Sequence, residues 1–176
     1  MYIDILILSQ LMNGPKHGYE IKKNVLIMLG KSNSINNNYL YPALKRFEEA
    51  GIITKRLEAQ EKRPNRHIYS ITDLGRELFY EMLNEFPPEY AANTNEVFNR
   101  LAFFDLLEDA SKKKILGYRI EYLQEHINSL ENLNQTMTDT DFLPFSPYIY
   151  HYSKRLAGTE LEFLMELDSA LERSQE

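Results

Sequence analysis

Apolar residues along the first half of the chain recur mostly at intervals of three and four. Ile3, Leu6, Ile7 and Leu11 share one helical face, and Asn13-Gly14-Pro15 stops that helix. A second helix follows Gly18, with Ile21, Val25, Met28 and Leu29 on its inner side and Gly30 past its end. Ser34 can cap a third helix that runs to Ala50-Gly51, with Leu40, Leu44 and Phe47 inward. The period then changes. Two short β-prone runs, 52–57 and 67–71, are joined by a polar stretch rich in Lys, Arg and Pro, which predicts a hairpin. Thr72 begins a fourth helix through Leu74, Leu78 and Met82, ending near Phe86. Three helices, a hairpin and a trailing helix are the element order of a winged helix-turn-helix.

Pro87-Pro88 ends that module, because proline removes a helical donor and restricts the residue before it. Beyond it the pattern is helical throughout. One helix covers about 94–108, with Val97, Leu101 and Phe104 on one face. A longer helix begins near Ser111. In it Leu116, Ile120, Leu123, Ile127, Leu130, Asn134 and Met137 alternate in steps of four and three, a coiled-coil seam with one polar interruption. A second break at 138–146 leads to a last helix that starts at Ser146-Pro147 and reaches about Arg173. The prediction is a mainly α fold: a winged helix-turn-helix domain over 1–86 and an all-helical, coiled-coil-like domain over 87–176.

Charge changes this picture more than composition does. The 176 residues carry a formal charge of −6, which by itself argues against a polyanion as partner. The distribution reverses that argument. Residues 16–67 hold eleven Lys and Arg against five Asp and Glu, a balance of +6, whereas 87–176 hold eight against sixteen, a balance of −8. Two modules with different partners follow from such asymmetry. The absence of Cys rules out disulfides, thiolate metal sites and thiol nucleophiles. With no apolar run near the ~18 residues of a membrane span and no basic start of a secretory signal at Met1-Tyr2-Ile3-Asp4, a cytoplasmic location is expected.

With Leu40, Leu44 and Phe47 inward, a step of about 100° per residue puts Asn38, Pro42, Lys45 and Glu49 on the opposite side of the third helix. Tyr39 and Tyr41 flank that face, and Asn36, Asn37 and Asn38 occupy its first turns. Asn can pair in bidentate fashion with adenine, and Lys and Tyr can reach phosphates. An Asn-rich helix start also serves simply as a cap. Between the strands, Lys62, Arg63 and Arg66 exceed what a turn requires, with Glu61 as the one acidic neighbour. A wing presenting these cations to the DNA backbone or minor groove accounts for the excess. Catalytic alternatives are weak. His17 with Glu20 offers two metal ligands with nothing to complete a set, and neither a nucleophile elbow nor a phosphate-binding glycine loop occurs. No enzyme activity, metal or cofactor is expected.

Three ordered segments carry a family resemblance: His17-Gly18-Tyr19-Glu20-Ile21, Leu40-Tyr41-Pro42-Ala43-Leu44-Lys45-Arg46-Phe47-Glu48-Glu49-Ala50-Gly51, and Arg63-Pro64-Asn65-Arg66-His67-Ile68-Tyr69. Together they resemble the PadR family of transcriptional regulators, and the second module resembles the helical C-terminal domain of its longer members. Where the family usually has Gly and a small hydroxyl residue before Leu-Tyr-Pro, this chain has Asn38 and Tyr39. The resemblance implies a dimeric DNA-binding regulator, more often a repressor than an activator. Carried over by motif, Tyr19 and Tyr41 would anchor the phosphate backbone, Lys45 would lie on the DNA side of the recognition helix, and Arg63 and Arg66 on the wing. The Pro42 kink would be family geometry.

The partners expected are therefore double-stranded DNA and a second copy of the chain. The dimer contact is expected along the 116–137 seam together with Leu164, Leu167 and Leu171 of the last helix, although that helix could equally fill the seam within one chain. Tyr148, Tyr150 and Tyr152 suggest core or dimer packing, since Tyr148 and Tyr152 lie one turn apart. A small aromatic effector, as some PadR-like regulators sense, is the rival reading. The rival for the whole chain is a winged-helix protein-interaction module without sequence-specific DNA binding.

Overall fold

A computed structural model describes residues 2–29, 37–58, 66–136 and 143–173. The chain forms two compact units, one comprising 1–85 and 98–107 and the other 86–97 and 108–176. In the first, α1 (Tyr2–Met12), α2 (Gly18–Leu29) and α3 (Asn37–Glu49) precede a hairpin of β2 (Ile53–Glu58) and β3 (Arg66–Ile71), and α4 (Asp73–Asn84) follows. A strand of two residues, β1 (Lys16–His17), lies on the other side of β3, giving the antiparallel order β1-β3-β2. Lys16 and Lys55 both register with Tyr69, so Tyr69 is central in the sheet and buried. The strand β1 is too short to carry an alternating pattern and was not expected. The mainly α fold with a winged helix-turn-helix hairpin and a helical remainder is as the pattern predicts.

The core of this unit is α1. Ile5, Leu6, Ile7, Leu8 and Leu11 have no exposed surface, so the helix is surrounded on all sides rather than amphipathic. Around it lie Ile21 and Val25 of α2, Leu40, Leu44 and Phe47 of α3, and Phe79 and Leu83 of α4. The inward face of α4 is one residue displaced from the expected line. Gly75, Phe79 and Leu83 are buried, whereas Leu74 is 52% exposed. The cause is packing: α4 enters against the start of β2 through Gly75, which has no side chain to count in an apolar pattern.

The end of α3 fixes where the wing begins. Gly51, at φ +72°, donates to the Glu48 carbonyl at 3.0 Å, and Ile52 donates to Phe47 at 2.9 Å. These are the two bonds of a Schellman stop, which needs a residue tolerant of positive φ. The Ile52 carbonyl then accepts the Thr72 N–H at 3.1 Å. The Thr72 hydroxyl lies 2.8 and 2.9 Å from the Gly51 and Ile52 carbonyls and accepts the Gly75 N–H at 3.1 Å, capping α4. Far along α4, the buried Arg100 guanidinium donates to the Met82, Leu83 and Glu85 carbonyls at 2.9–3.2 Å, placing a cation on the negative end of the helix.

The second unit opens with a 3-10 turn, Pro88–Ala92, directly after Pro87. The helix expected over 94–108 is shorter: α5 spans Thr94–Leu101, and a 3-10 turn at Phe104–Leu106 replaces its last part. From Phe103 onward the backbone bonds run to the third preceding carbonyl, as in Phe103 to Arg100 at 2.9 Å, the tighter winding common at helix ends. Helices α6 (Asp109–Thr136) and α7 (Ser146–Arg173) form an antiparallel pair, tied by Arg119 to Glu160 and by Lys154 to Glu131. A methyl group at residue 75 would collide with the Ile52 carbonyl oxygen. Gly75→Ala is therefore expected to cost roughly 1–3 kcal/mol, read as a lower urea midpoint with an unchanged denaturant slope.

Candidate nucleic-acid interface

The helix α2 begins at a one-sided cap. The His17 N–H donates to Glu20 Oε2 at 2.8 Å, the arm by which a residue at the third helical position satisfies an orphan donor. The His17 and Glu20 pair is thus a helix cap, and among the described residues no group of three or more His, Asp or Glu could hold a metal ion. The His17 ring also braces the wing. Its Nδ1 is 3.1 Å from the His67 carbonyl and its Nε2 is 3.2 Å from the Glu58 carboxylate. Beside it Tyr19 stacks on the imidazole at 6.0 Å, and Arg66 lies over the Tyr19 ring at 5.4 Å.

Tyr41 of α3 closes the same corner. Its ring would meet a methyl group at Gly18 at 3.1 Å, so the Tyr41 side chain packs closely over the start of α2. His17, Tyr19, Tyr41, Arg66 and His67 line one cavity of about 400 Å³ floored by Tyr69. Burial, and then the nearby Tyr41 and Glu48, raise the Tyr69 phenol above its ordinary range. Three residues nominated from separate segments, Tyr19, Tyr41 and Arg66, therefore meet in one place, with both tyrosines roughly half exposed.

On α3 itself the nominated residues separate into two groups. Asn38 and Lys45 lie on the exposed face with Pro42, and Lys45 pairs with Glu49 at 3.6 Å. Asn37 and Tyr39 turn to the flanks. Asn37 accepts from Lys22 Nζ at 2.9 Å, and the Tyr39 hydroxyl lies 3.4 Å from Asp4 Oδ1. Burial first, and then Asp4, raise the Tyr39 phenol. Asn36, Lys62 and Arg63 lie outside the described residues. Asp4, Lys22 and Arg46 escaped the sequence reading, because Asp4 sits in an apolar helix and the two cations resemble any solvated charge.

In the second unit, Leu116, Leu123, Leu164 and Leu171 are buried within the chain, so α7 fills much of the seam. Ile120, Ile127, Leu130 and Leu167 are half-buried, Asn134 is exposed, and Met137 lies outside the described residues. The polar anchor is Arg119. It donates to both Glu160 oxygens at 2.6 and 2.9 Å, to the Ala91 carbonyl at 2.6 Å and to Thr94 Oγ1 at 3.1 Å. At the far end of the pair, Leu130, Leu133, Leu143, Phe145, Ile149 and Tyr150 border an apolar groove of about 540 Å³. Tyr148 and Tyr152 are 72% and 64% exposed, which removes them from the core of the chain, because the inward stripe of α7 is instead Ala157, Leu164 and Leu171. Arg119→Ala is expected to cost roughly 3–5 kcal/mol by stranding Glu160, and the Arg119→Ala/Glu160→Ala double variant to recover part of it in thermal unfolding of the full chain.

Residues 7–81 match the Transcriptional regulator PadR-like family. The chain is 24% identical over 148 residues to the negative transcriptional regulator PadR of Bacillus subtilis (strain 168), spanning 83% of this chain and 81% of that protein. Among solved structures it is similar to Bacillus subtilis PadR in complex with operator DNA, at 19% identity and a TM-score of 0.48 over 97% of this chain and 99% of that one. It is also similar to smu.1604c from Streptococcus mutans UA159, at 26% identity and a TM-score of 0.44 over 94% and 98% of the two chains. Residues 7–81, which hold α3 with its glycine stop and the β2–β3 hairpin, thus fit the PadR-like family of transcriptional regulators, and the similarity to Bacillus subtilis PadR extends over 83% of the chain.

Proposed function

We propose that the protein is a transcriptional repressor that binds an inverted-repeat promoter site as a homodimer, with residues 1–86 as the DNA-binding domain and 87–176 as the dimerisation domain. The observation that carries this reading is the meeting of Tyr19, Tyr41 and Arg66 around one cavity, next to the α3 face of Asn38 and Lys45. A phosphate at that cavity would gain one cation and two phenol donors, and the exposed face would reach base edges. Asn36, Lys62 and Arg63, near these elements in sequence, belong to the proposed DNA contacts as well. Asn37 and Tyr39 remain in the interface as residues that set its shape. The Bacillus subtilis relative is a negative regulator, which favours repression over activation.

Selection of bound genomic fragments, followed by titration against salt, tests the reading. A steep log–log dependence of affinity on salt is expected, losing about 0.9 in slope per phosphate contact removed. Arg66→Ala and Lys45→Ala should weaken binding to every sequence, and Asn38→Ala should mainly relax the preference among them. Equal affinity of wild type and Arg66→Ala for the selected site would remove the wing from the mechanism.

The dimer contact is drawn from seam positions that keep free surface: Ile120, Ile127, Leu130, Asn134 and Leu167. The four buried leucines support it from within. The exposed Leu143, Phe145 and Ile149 beside Leu130 extend this surface, and apolar area of that kind marks association sites. The groove's size and lining also suit a small aromatic effector, with the Tyr150 ring and hydroxyl as its specific contacts. Light scattering at micromolar concentration is expected to return twice 20.7 kDa. A stable species of 20.7 kDa would overturn the homodimer.

A further inference from the structure

The flanks of α3 carry as much polar structure as its exposed face. At about 100° per residue, Tyr39 and Arg46 fall within ~20° of each other on one edge of the buried stripe, and Asn37 and Glu48 fall on the other. The second edge is tied to the rest of the domain by Lys22 donating to Asn37 at 2.9 Å and by Lys55 pairing with Glu48 at 3.6 Å. The first edge converges on a single atom. Asp4 Oδ1 accepts Arg46 Nη2 at 2.9 Å and lies 3.4 Å from the Tyr39 hydroxyl.

Asp4 is an improbable residue for its position. It is 6% exposed in a helix whose next four residues are completely buried and apolar. Burying a carboxylate is costly unless it is paired and hydrogen-bonded, so the site exists because α3 supplies those partners. Its place in the first turn of α1 adds the favourable end of that helix's dipole. Tyr39 and Arg46 span seven residues of α3, two full turns, so anchoring both resists rotation of the helix about its axis. A rotation of a few tens of degrees would carry Asn38 and Lys45 off the face opposite the core.

We propose that Asp4 is a positioning residue for DNA recognition, one that holds Tyr39 and Arg46 along the α1 flank of α3 and thereby sets the angle at which Asn38 and Lys45 meet the duplex, a role that rests on the DNA-binding reading above. Arg46 belongs to this clamp and is not a phosphate contact in the specific complex, since its charge is already matched by Asp4. Two consequences differ in sign from those of a merely stabilising ion pair. Removing the carboxylate charge frees Arg46 for any nearby phosphate, so non-specific binding gains while specific binding loses. Removing Arg46 loosens the helix without removing a phosphate contact.

The test uses the full-length protein, the selected genomic fragment and a scrambled duplex of equal length, with affinities taken across a salt series. Asp4→Asn is isosteric and keeps an acceptor. It is expected to lose roughly tenfold in affinity for the selected fragment, to hold or gain affinity for the scrambled duplex, and to steepen the salt slope on it by about 0.9. Arg46→Gln, at a side chain 58% exposed, keeps the test informative if Asp4→Asn does not fold. It is expected to lose specific affinity with the slope on the selected fragment unchanged. A fall of about 0.9 in that slope would make Arg46 a direct phosphate contact and overturn the clamp. Parallel losses on both duplexes for Asp4→Asn, or no loss on either, would overturn it as well. A wild type that binds the two duplexes equally would instead sink the sequence-specific reading, and the clamp with it.

Discussion

One carbonyl oxygen joins the parts of the first unit. The Ile52 oxygen accepts the Thr72 N–H at 3.1 Å, lies 2.9 Å from the Thr72 hydroxyl, and has Gly75 pressed against it. Ile52 is the residue after the glycine that stops α3, and Thr72 is the cap of α4, so the end of α3, both feet of the hairpin and the start of α4 are set by the same few atoms. The Thr72 N–H is committed to this oxygen, while the one proton of its hydroxyl is shared between the Gly51 and Ile52 carbonyls. The direction in which the hairpin leaves α3 follows from these local bonds rather than from any large contact area.

Elsewhere the fold places buried charge at junctions. Arg100 covers the last carbonyls of α4, Arg119 joins α6 to α7 through Glu160 and to the Ala91 carbonyl, and Asp4 joins α1 to α3. Each buried ion is held by a partner or several acceptors, which is the condition under which burial is tolerated. Such contacts are directional in a way apolar packing is not. They define angles between elements, and angles are what a surface that reads DNA needs.

The elements were legible in the sequence where local chemistry alone decides them. Gly51 after Phe47 announces a helix stop, Thr72 announces a cap, and Ser146-Pro147 announces the start of α7; all three are determined within a few residues of chain. The same reading missed β1, whose two residues become a strand only because β3 lies beside them. It put the inner face of α4 on Leu74, since a glycine chosen for closeness leaves no hydrophobic mark. It left open whether the last helix fills the 116–137 seam within one chain, and in the structure Leu116 and Leu123 are buried while Asn134 is exposed.

The candidate interface divides in the same way. Periodicity and charge were sufficient to separate a basic first stretch from an acidic helical half, and to set Asn38 and Lys45 on the outer face of α3. These properties depend on one helix or on composition, and the chain carries them wherever it goes. Which polar side chains at the edges of α3 look outward was decided by tertiary structure. Asn37 has Lys22 within reach and Tyr39 has Asp4, both more than ten residues away in sequence. A side chain at the border of a buried face can turn either way, and only the neighbour brought up by folding determines which.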